Sequence, residues 1–353
     1  MGTTTASEIA VDVKFSDRIA DLVFQPVRER FFKNVQFEEP KGDPGWFGPD
    51  SAVWYLFSHT PTVQIGLAAA AMIETLHPDM AWMSVEHTRV LERKNGVPTG
   101  KFDEDALASR GGHTLSFFLG VAMGSTEVAE RVSRVVRGMH DRVSGVRPDG
   151  HEYRAGDPDL LAWNYVTMAW ALSAIHERYH PRPMRGERLE QFFREFARMG
   201  LELGASEVPT TRAGVYKYLE DSIPLLAVTM PTVDLLNPLA PWRHPVWQRP
   251  VYALLYWAVQ DLHPDWAQRL MNTPQYSRPR KAAMRAMTRL LLQSSRDGRI
   301  REVRQAYARA AAAPRPPAPV GVDETKKSRP ERDGAVVGSG GPRTPQPRPP
   351  GPR

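Results

Sequence analysis

Asp157-Pro158-Asp159-Leu160-Leu161-Ala162-Trp163-Asn164-Tyr165-Val166-Thr167-Met168-Ala169-Trp170-Ala171-Leu172-Ser173-Ala174-Ile175 is the stretch that decides the fold. Asp157 is a good N-cap, and Pro158 suits the first helical position, where its missing N–H costs nothing. The apolar residues behind them lie nearly all round a 3.6-residue period. That pattern predicts a helix at the centre of a core.

Working outward, residues 126–145 predict an amphipathic helix. Val128, Val132, Val135, Val136, Met139 and Val143 recur at three- and four-residue steps, while Arg131, Arg134, Arg137 and Asp141 take other faces. Gly145 fits a C-terminal stop, with Pro148 beyond it. Helical periodicity also predicts helices over 16–32, 62–76, 188–203, 211–222, 246–261, 264–271 and 279–305. Nothing reads as a regular series of strands, and no internal repeat is visible. The expected fold class is all-α, one helical bundle over 16–307, with Pro- and Gly-rich connections at 40–49 and 238–250. Residues 1–15 are expected to be a flexible N-terminus and 308–353 a disordered Pro/Arg-rich tail.

The chain has 353 residues, no cysteine and a formal net charge of +6. At this length about 70–75% of the unfolded surface can be buried, so a sizeable core is available. Without cysteine there is no disulfide, zinc ribbon, iron–sulfur cluster or thiol nucleophile, and any metal falls to His, Asp, Glu or a cofactor. The positive charge is unevenly placed. From Pro314 to Arg353 there are eleven prolines and eight basic against four acidic residues, so +4 of the +6 sits there. A segment so poor in apolar side chains cannot offset its ordering entropy. The helical part is nearly neutral, which argues against a nucleic-acid surface on it. The N-terminus lacks a secretory pattern, and no run reaches about 18 apolar residues. The expectation is a cytoplasmic protein without a transmembrane segment.

Two histidine groups compete as sites. His176-Glu177-Arg178-Tyr179-His180 is a literal H-E-x-x-H, in which two His on one helix face hold zinc and the Glu activates water. Pro181 and Pro183 should end the helix at once, however, and no third ligand stands out. The second group is Arg110, His113 and Thr114, spaced i, i+3, i+4 around Gly111-Gly112. Two adjacent glycines cost a helix interior about 1 kcal/mol each, so they imply either close approach of a flat ligand or another backbone, or a loop. His140 falls at the border of the Val/Met stripe, where a core or boundary role is the plain reading. A neutral imidazole facing an apolar pocket is equally what a haem iron requires. His77 and His87, flanking Met80-Ala81-Trp82-Met83, are ambiguous in the same way.

Several short runs together carry a family resemblance: Phe47-Gly48-Pro49-Asp50-Ser51, Leu76-His77-Pro78, Glu86-His87-Thr88, Arg110-Gly111-Gly112-His113-Thr114, Val136-Arg137-Gly138-Met139-His140 and Tyr153 to Trp163. Phe192-Phe193-Arg194-Glu195 continues it. In order and spacing they resemble the oxygenase family that carries the domain of unknown function 2236, which includes the mycophenolic-acid pathway oxygenase and the latex-clearing rubber oxygenases. The resemblance spans roughly residues 45 to 270.

It implies a mostly α fold, globin-like in the rubber oxygenases, with b-type haem and dioxygen chemistry. His140 would be the proximal iron ligand; Arg110, His113 and Thr114 would lie on the distal side as the catalytic group. Arg110, Gly111 and Asn164 would join His140 around the cofactor. Two departures stand out. His113 replaces the basic residue of Arg-x-x-Arg/Lys-Thr, and Asn164 stands where many members have His. Trp163, Met168 and Trp170 could line a pocket, although core packing is the plainer role for each. The expected partners are O2 and a small apolar or aromatic substrate, as in tailoring a secondary metabolite; a homo-oligomer is compatible with the sequence. A zinc hydrolase on His176 and His180, and a non-catalytic haem carrier, are the alternatives.

Overall fold

The computed structural model describes residues 13–32, 35–236, 240–243, 245–293, 295 and 297–312, without the side chains of residues 23 and 243. Most of the N-terminal segment and of the tail expected to be disordered lies outside the described residues. The chain opens with α1 (Phe15–Phe31), α2 (Ala52–Phe57), α3 (Thr60–Glu74) and α4 (Pro78–His87). A hairpin, β1 (Leu91–Lys94) and β2 (Val97–Phe102), leads to α5 (Glu104–Met123) and α6 (Thr126–His140). A second hairpin, β3 (Ser144–Val146) and β4 (Glu152–Arg154), precedes α7 (Pro158–Tyr179), α8 (Glu187–Leu203) and α9 (Arg212–Asp221). After a 3-10 turn at Ile223–Leu225 come α10 (Met230–Leu235), a second such turn at Pro241–Arg243, and α11 (Arg249–Leu262). Then follow α12 (Asp265–Leu270), α13 (Arg278–Gln293) and α14 (Arg301–Ala311). The architecture is mostly helical, as expected.

α7 is the central helix, with 17 of its 22 residues buried. Its start is the one the sequence predicts: Asp157 Oδ1 accepts the Asp159 N–H at 2.9 Å, and Pro158 takes the first position. α3, α8, α9, α11 and α13 all pack on it. Close approach explains Gly66 on α3, where a Cβ would stand 2.9 Å from Ile175 Cγ2 and 3.1 Å from Leu172 Cδ2. Burying such apolar side chains stabilises the bundle by roughly 1.5–3 kcal/mol each.

Two local expectations need correction. α6 ends at His140, five residues short of Gly145. Gly145 instead pairs with Tyr153 across the second hairpin. A Cβ at Gly145 would lie 2.3 Å from the Tyr153 hydroxyl, so this glycine makes room for a ring. The single helix expected over 279–305 is two, α13 and α14. At the break, a Cβ on Gly298 would stand 2.7 Å from the Ser16 carbonyl oxygen. The first hairpin was legible in principle, because Asn95 (φ 52°) and Gly96 (φ 81°) form the Asn-Gly turn that hairpins favour.

Candidate functional site

α5 carries the Arg110 group. Asp103 caps its start by accepting the Ala106 N–H at 2.9 Å, and the helix runs unbroken through Gly111-Gly112 to Met123. The loop alternative for the two glycines is therefore excluded. Gly112 is buried under α1, where a Cβ would meet the Phe31 ring at 2.1–2.6 Å. Gly111 is exposed and faces open space, with nothing within 4 Å of a Cβ.

α6 follows after the turn Gly124-Ser125. The Val/Met stripe predicted to be its buried face is covered at Val128 but open at Val135 (59% exposed) and Met139 (50%). The line that stays covered to the helix end is Ala129, Ser133, Val136 and His140, spaced i, i+4, i+7, i+11. His140 therefore points inward from the last turn. Its Nδ1 is buried and has no hydrogen-bond partner among the described residues, while the residue as a whole is half-buried. Burial, reinforced by the Arg110 charge, lowers the His140 pKa and favours the neutral imidazole.

The same Arg110 charge acts on Glu74, the last residue of α3. Glu74 Oε1 accepts two hydrogen bonds from α7, from Asn164 Nδ2 and from Thr167 Oγ1, each at 3.0 Å. Trp163 Nε1 donates to the Glu74 carbonyl at 3.4 Å. Burial raises the Glu74 pKa to about 7, against the opposing pull of the Thr167 bond and of Arg110. The candidate site is thus Glu74 with its α7 partners Asn164 and Thr167, together with His140, the two parts linked by the Arg110 charge that acts on both.

Of the residues singled out from the sequence, Arg110, His140 and Asn164 share this neighbourhood. His113 is exposed and stands edge-on to Phe31, with ring centroids 5.1 Å apart. Thr114 is partly buried. Trp163 borders the site, whereas Trp170 stacks on His263 at 5.6 Å within the core. His77 caps α4 by accepting the Asp79 N–H at 3.3 Å. Tyr153 donates its hydroxyl proton to Glu86, so His87 Nε2, 3.1 Å from the Tyr153 oxygen, is the donor of that pair. Both histidines hold structure together. Glu74 and Thr167 escaped the sequence reading; the available signal was a single carboxylate closing the otherwise uncharged segment 60–74.

The H-E-x-x-H geometry does not serve zinc. α7 ends at Tyr179, and His180 sits outside it with extended backbone (φ −61°, ψ 135°). His176 is fully buried and spends Nε2 on the Met184 N–H at 2.8 Å. The rings of His176 and His180 lie 4.2 Å apart, and Glu177 pairs with Arg212 at 3.1 Å. Among the described residues no group of three His, Asp or Glu side chains could hold a metal ion. A polar cleft lined by Trp170, Arg178, Tyr216, Asp261, His263 and Arg285 opens on the C-terminal half of α7; of the residues singled out from the sequence as candidate pocket lining it takes in Trp170, and it contains none of Arg110, His113, Thr114, His140 and Asn164. No helix among the described residues is long and apolar enough to cross a membrane.

Comparison with curated proteins and with solved structures gives no match. A family model described as ER-bound oxygenase mpaB/B'/rubber oxygenase, catalytic domain, matches residues 54–293, which takes in α3, α5, α6 and α7 and every residue of the candidate site. The chain belongs to this oxygenase family.

Proposed function

We propose that the protein is a b-type haem-dependent oxygenase that uses O2 on a small apolar or aromatic substrate, with His140 as the proximal ligand. The observation that carries the reading is the state of His140: a half-buried imidazole, kept neutral by burial, whose buried Nδ1 has no hydrogen-bond partner among the described residues. A neutral imidazole is the donor a haem iron takes. The open space over Gly111, where a side chain is missing, suits the approach of a flat macrocycle. The residues therefore fit the group. Oxygenase chemistry itself is supported by the family.

Haem would supply the iron at which O2 is activated. The chain would supply the rest. Arg110, exposed on α5, places a positive charge beside the site, which favours negative charge developing on a reacting oxygen. Asn164, held by Glu74, offers an oriented amide. Trp163 closes the wall toward α3 and keeps water from the α7 side. His113 and Thr114, on the same helix as Arg110, complete the distal group in this reading, His113 as a proton donor from its exposed position beside Phe31.

The absorption spectrum of the purified protein tests this directly. A Soret band with a b-type pyridine haemochrome is expected, and His140→Ala should abolish haem retention. Retained haem with an unchanged spectrum in that variant would show that another residue is the axial ligand. Oxygen consumption with candidate substrates then separates an enzyme from a haem carrier.

A further inference from the structure

The reading above uses Glu74 as an anchor for Asn164, yet its surroundings suit it to more. Residues 60–73 of α3 carry no charge, so Glu74 places one carboxylate at the end of an apolar helix. A carboxylate whose task is to lock two helices would be expected to form an ion pair or to saturate both oxygens. Glu74 does neither among the described residues. Arg110 acts on it through space with no ion pair between them. Both donors from α7, Asn164 and Thr167 one helical step apart, converge on Oε1. Thr167 is fully buried, and its one hydroxyl proton is shared between Glu74 Oε1 (3.0 Å) and the Asn164 carbonyl of its own helix (2.9 Å). Oε2 has no hydrogen-bond partner among the described residues, and Glu74 keeps part of its surface open.

We propose that Glu74 is the proton-exchanging group of this site, with Oε1 clamped by Asn164 and Thr167 and Oε2 free to take and return a proton. In the step, an O–H of the bound substrate gives its proton to Glu74 Oε2, and the electron pair of that bond stays on the substrate oxygen. Glu74 becomes a neutral acid, and loss of the proton to solvent restores the carboxylate. Burial holds the group near the midpoint of its titration at neutral pH, at about 7, so both forms are populated there. Arg110 on α5 is the charged group that acts on it; α7 contributes the uncharged Asn164 and Thr167. The proposal rests on the oxygenase reading for the reaction served, but the titration of Glu74 can be measured without haem.

The test compares wild type, Glu74→Gln and Thr167→Val. Gln keeps the size of the side chain and an oxygen for both α7 donors but cannot exchange a proton. Val keeps the shape of Thr167 but removes the donor that favours the carboxylate. In haem-free protein, infrared spectra across pH 5–9 should show a carboxylic-acid band that fades with a midpoint near neutrality and shifts in D2O. It should be missing in Glu74→Gln and fade at higher pH in Thr167→Val. A band that persists in Glu74→Gln, or that does not shift in D2O, would overturn the proposal. With ferric haem bound, the probe is cyanide, which arrives as HCN and must give up its proton as it binds. Glu74→Gln should slow association about tenfold or more and remove its inflection near neutral pH. An unchanged rate and pH profile would equally overturn it. Failure to bind haem would sink the oxygenase reading, while the infrared titration would still decide for or against Glu74.

Discussion

The adjacent glycines of α5 should respond to the same substitution with opposite signs. In a helix interior Gly→Ala gains roughly 1 kcal/mol, because alanine restricts the unfolded chain and shields the backbone. At Gly111 nothing lies within 4 Å of the new Cβ, so the gain should be realised in full. At Gly112 the Cβ would stand 2.1 Å from Phe31 Cδ2 and 2.2 Å from Cε2. The ring must retreat by roughly 1.3 Å to reach ordinary contact at 3.4 Å, pushing α1 away from α5. Overpacking of this kind costs about 1–3 kcal/mol, which offsets or exceeds the helix gain. The two variants should therefore differ by ~1–3 kcal/mol, or very roughly 1.5–5 °C in Tm at this chain length. Urea denaturation of haem-free protein measures the difference. In a Phe31→Ala background the penalty at Gly112 should vanish, which a double-mutant cycle reads as coupling. If Gly112→Ala proves as stabilising as Gly111→Ala, the close packing of α1 on α5 is wrong, and with it the reason given for this glycine. A second readout bears on the proposed function. Should haem approach Gly111, Gly111→Ala would gain stability yet lose haem affinity.

Two further outcomes follow from buried polar groups. Arg309 on α14 is fully buried and donates to four backbone carbonyls: Asp43 and Phe37 at 2.8 Å, Met123 at 2.9 Å and Gly124 at 3.0 Å. Arg309→Met would leave these acceptors unsatisfied, two of them at the end of α5, and should cost ~3–5 kcal/mol by denaturant titration; a loss under ~1 kcal/mol would refute the anchoring role. Burial holds His263 at about 4, against its bond to the Ala69 carbonyl, and His59 and His180 at about 3 and about 4. These folded-state values lie below the unfolded value near 6.5, so their contribution is present above 6.5 and is lost as pH falls toward 4, by ~3 kcal/mol for His263 alone. Glu74 works in the other direction, its raised pKa weakening the fold as pH rises from 4.5 to about 7. His263→Gln should flatten the acid loss measured between pH 7 and 4.5, and an unchanged slope would contradict the assignment.

The helices were legible because their causes are local. The cap at Asp157-Pro158 and the all-round apolar run behind it identify α7 as central, and seventeen buried residues agree. Boundaries were less so: the stop at Gly145 looked like a helix end because a glycine gives the same signal in a hairpin as in a C-cap. Part of the site was also readable, since Arg110 and His140 stand in runs that resemble an oxygenase family. The motif His176-Glu177-x-x-His180 was readable and misleading, because ligand spacing says nothing about whether the helix reaches the second histidine.

What the sequence determined by itself is the helical class, the centrality of α7, and a histidine at the border of the apolar stripe of α6 as a candidate ligand. Tertiary structure decided which part of the α6 stripe is covered, why Gly112 but not Gly111 must lack a side chain, and that Glu74 meets Asn164 and Thr167 beside Arg110. The physical reason is range. Periodicity and capping depend on neighbours three or four residues away, so they are written in consecutive letters. The state of a carboxylate depends on what covers it and which donors it meets, and those for Glu74 come from residues 90 and 93 positions away.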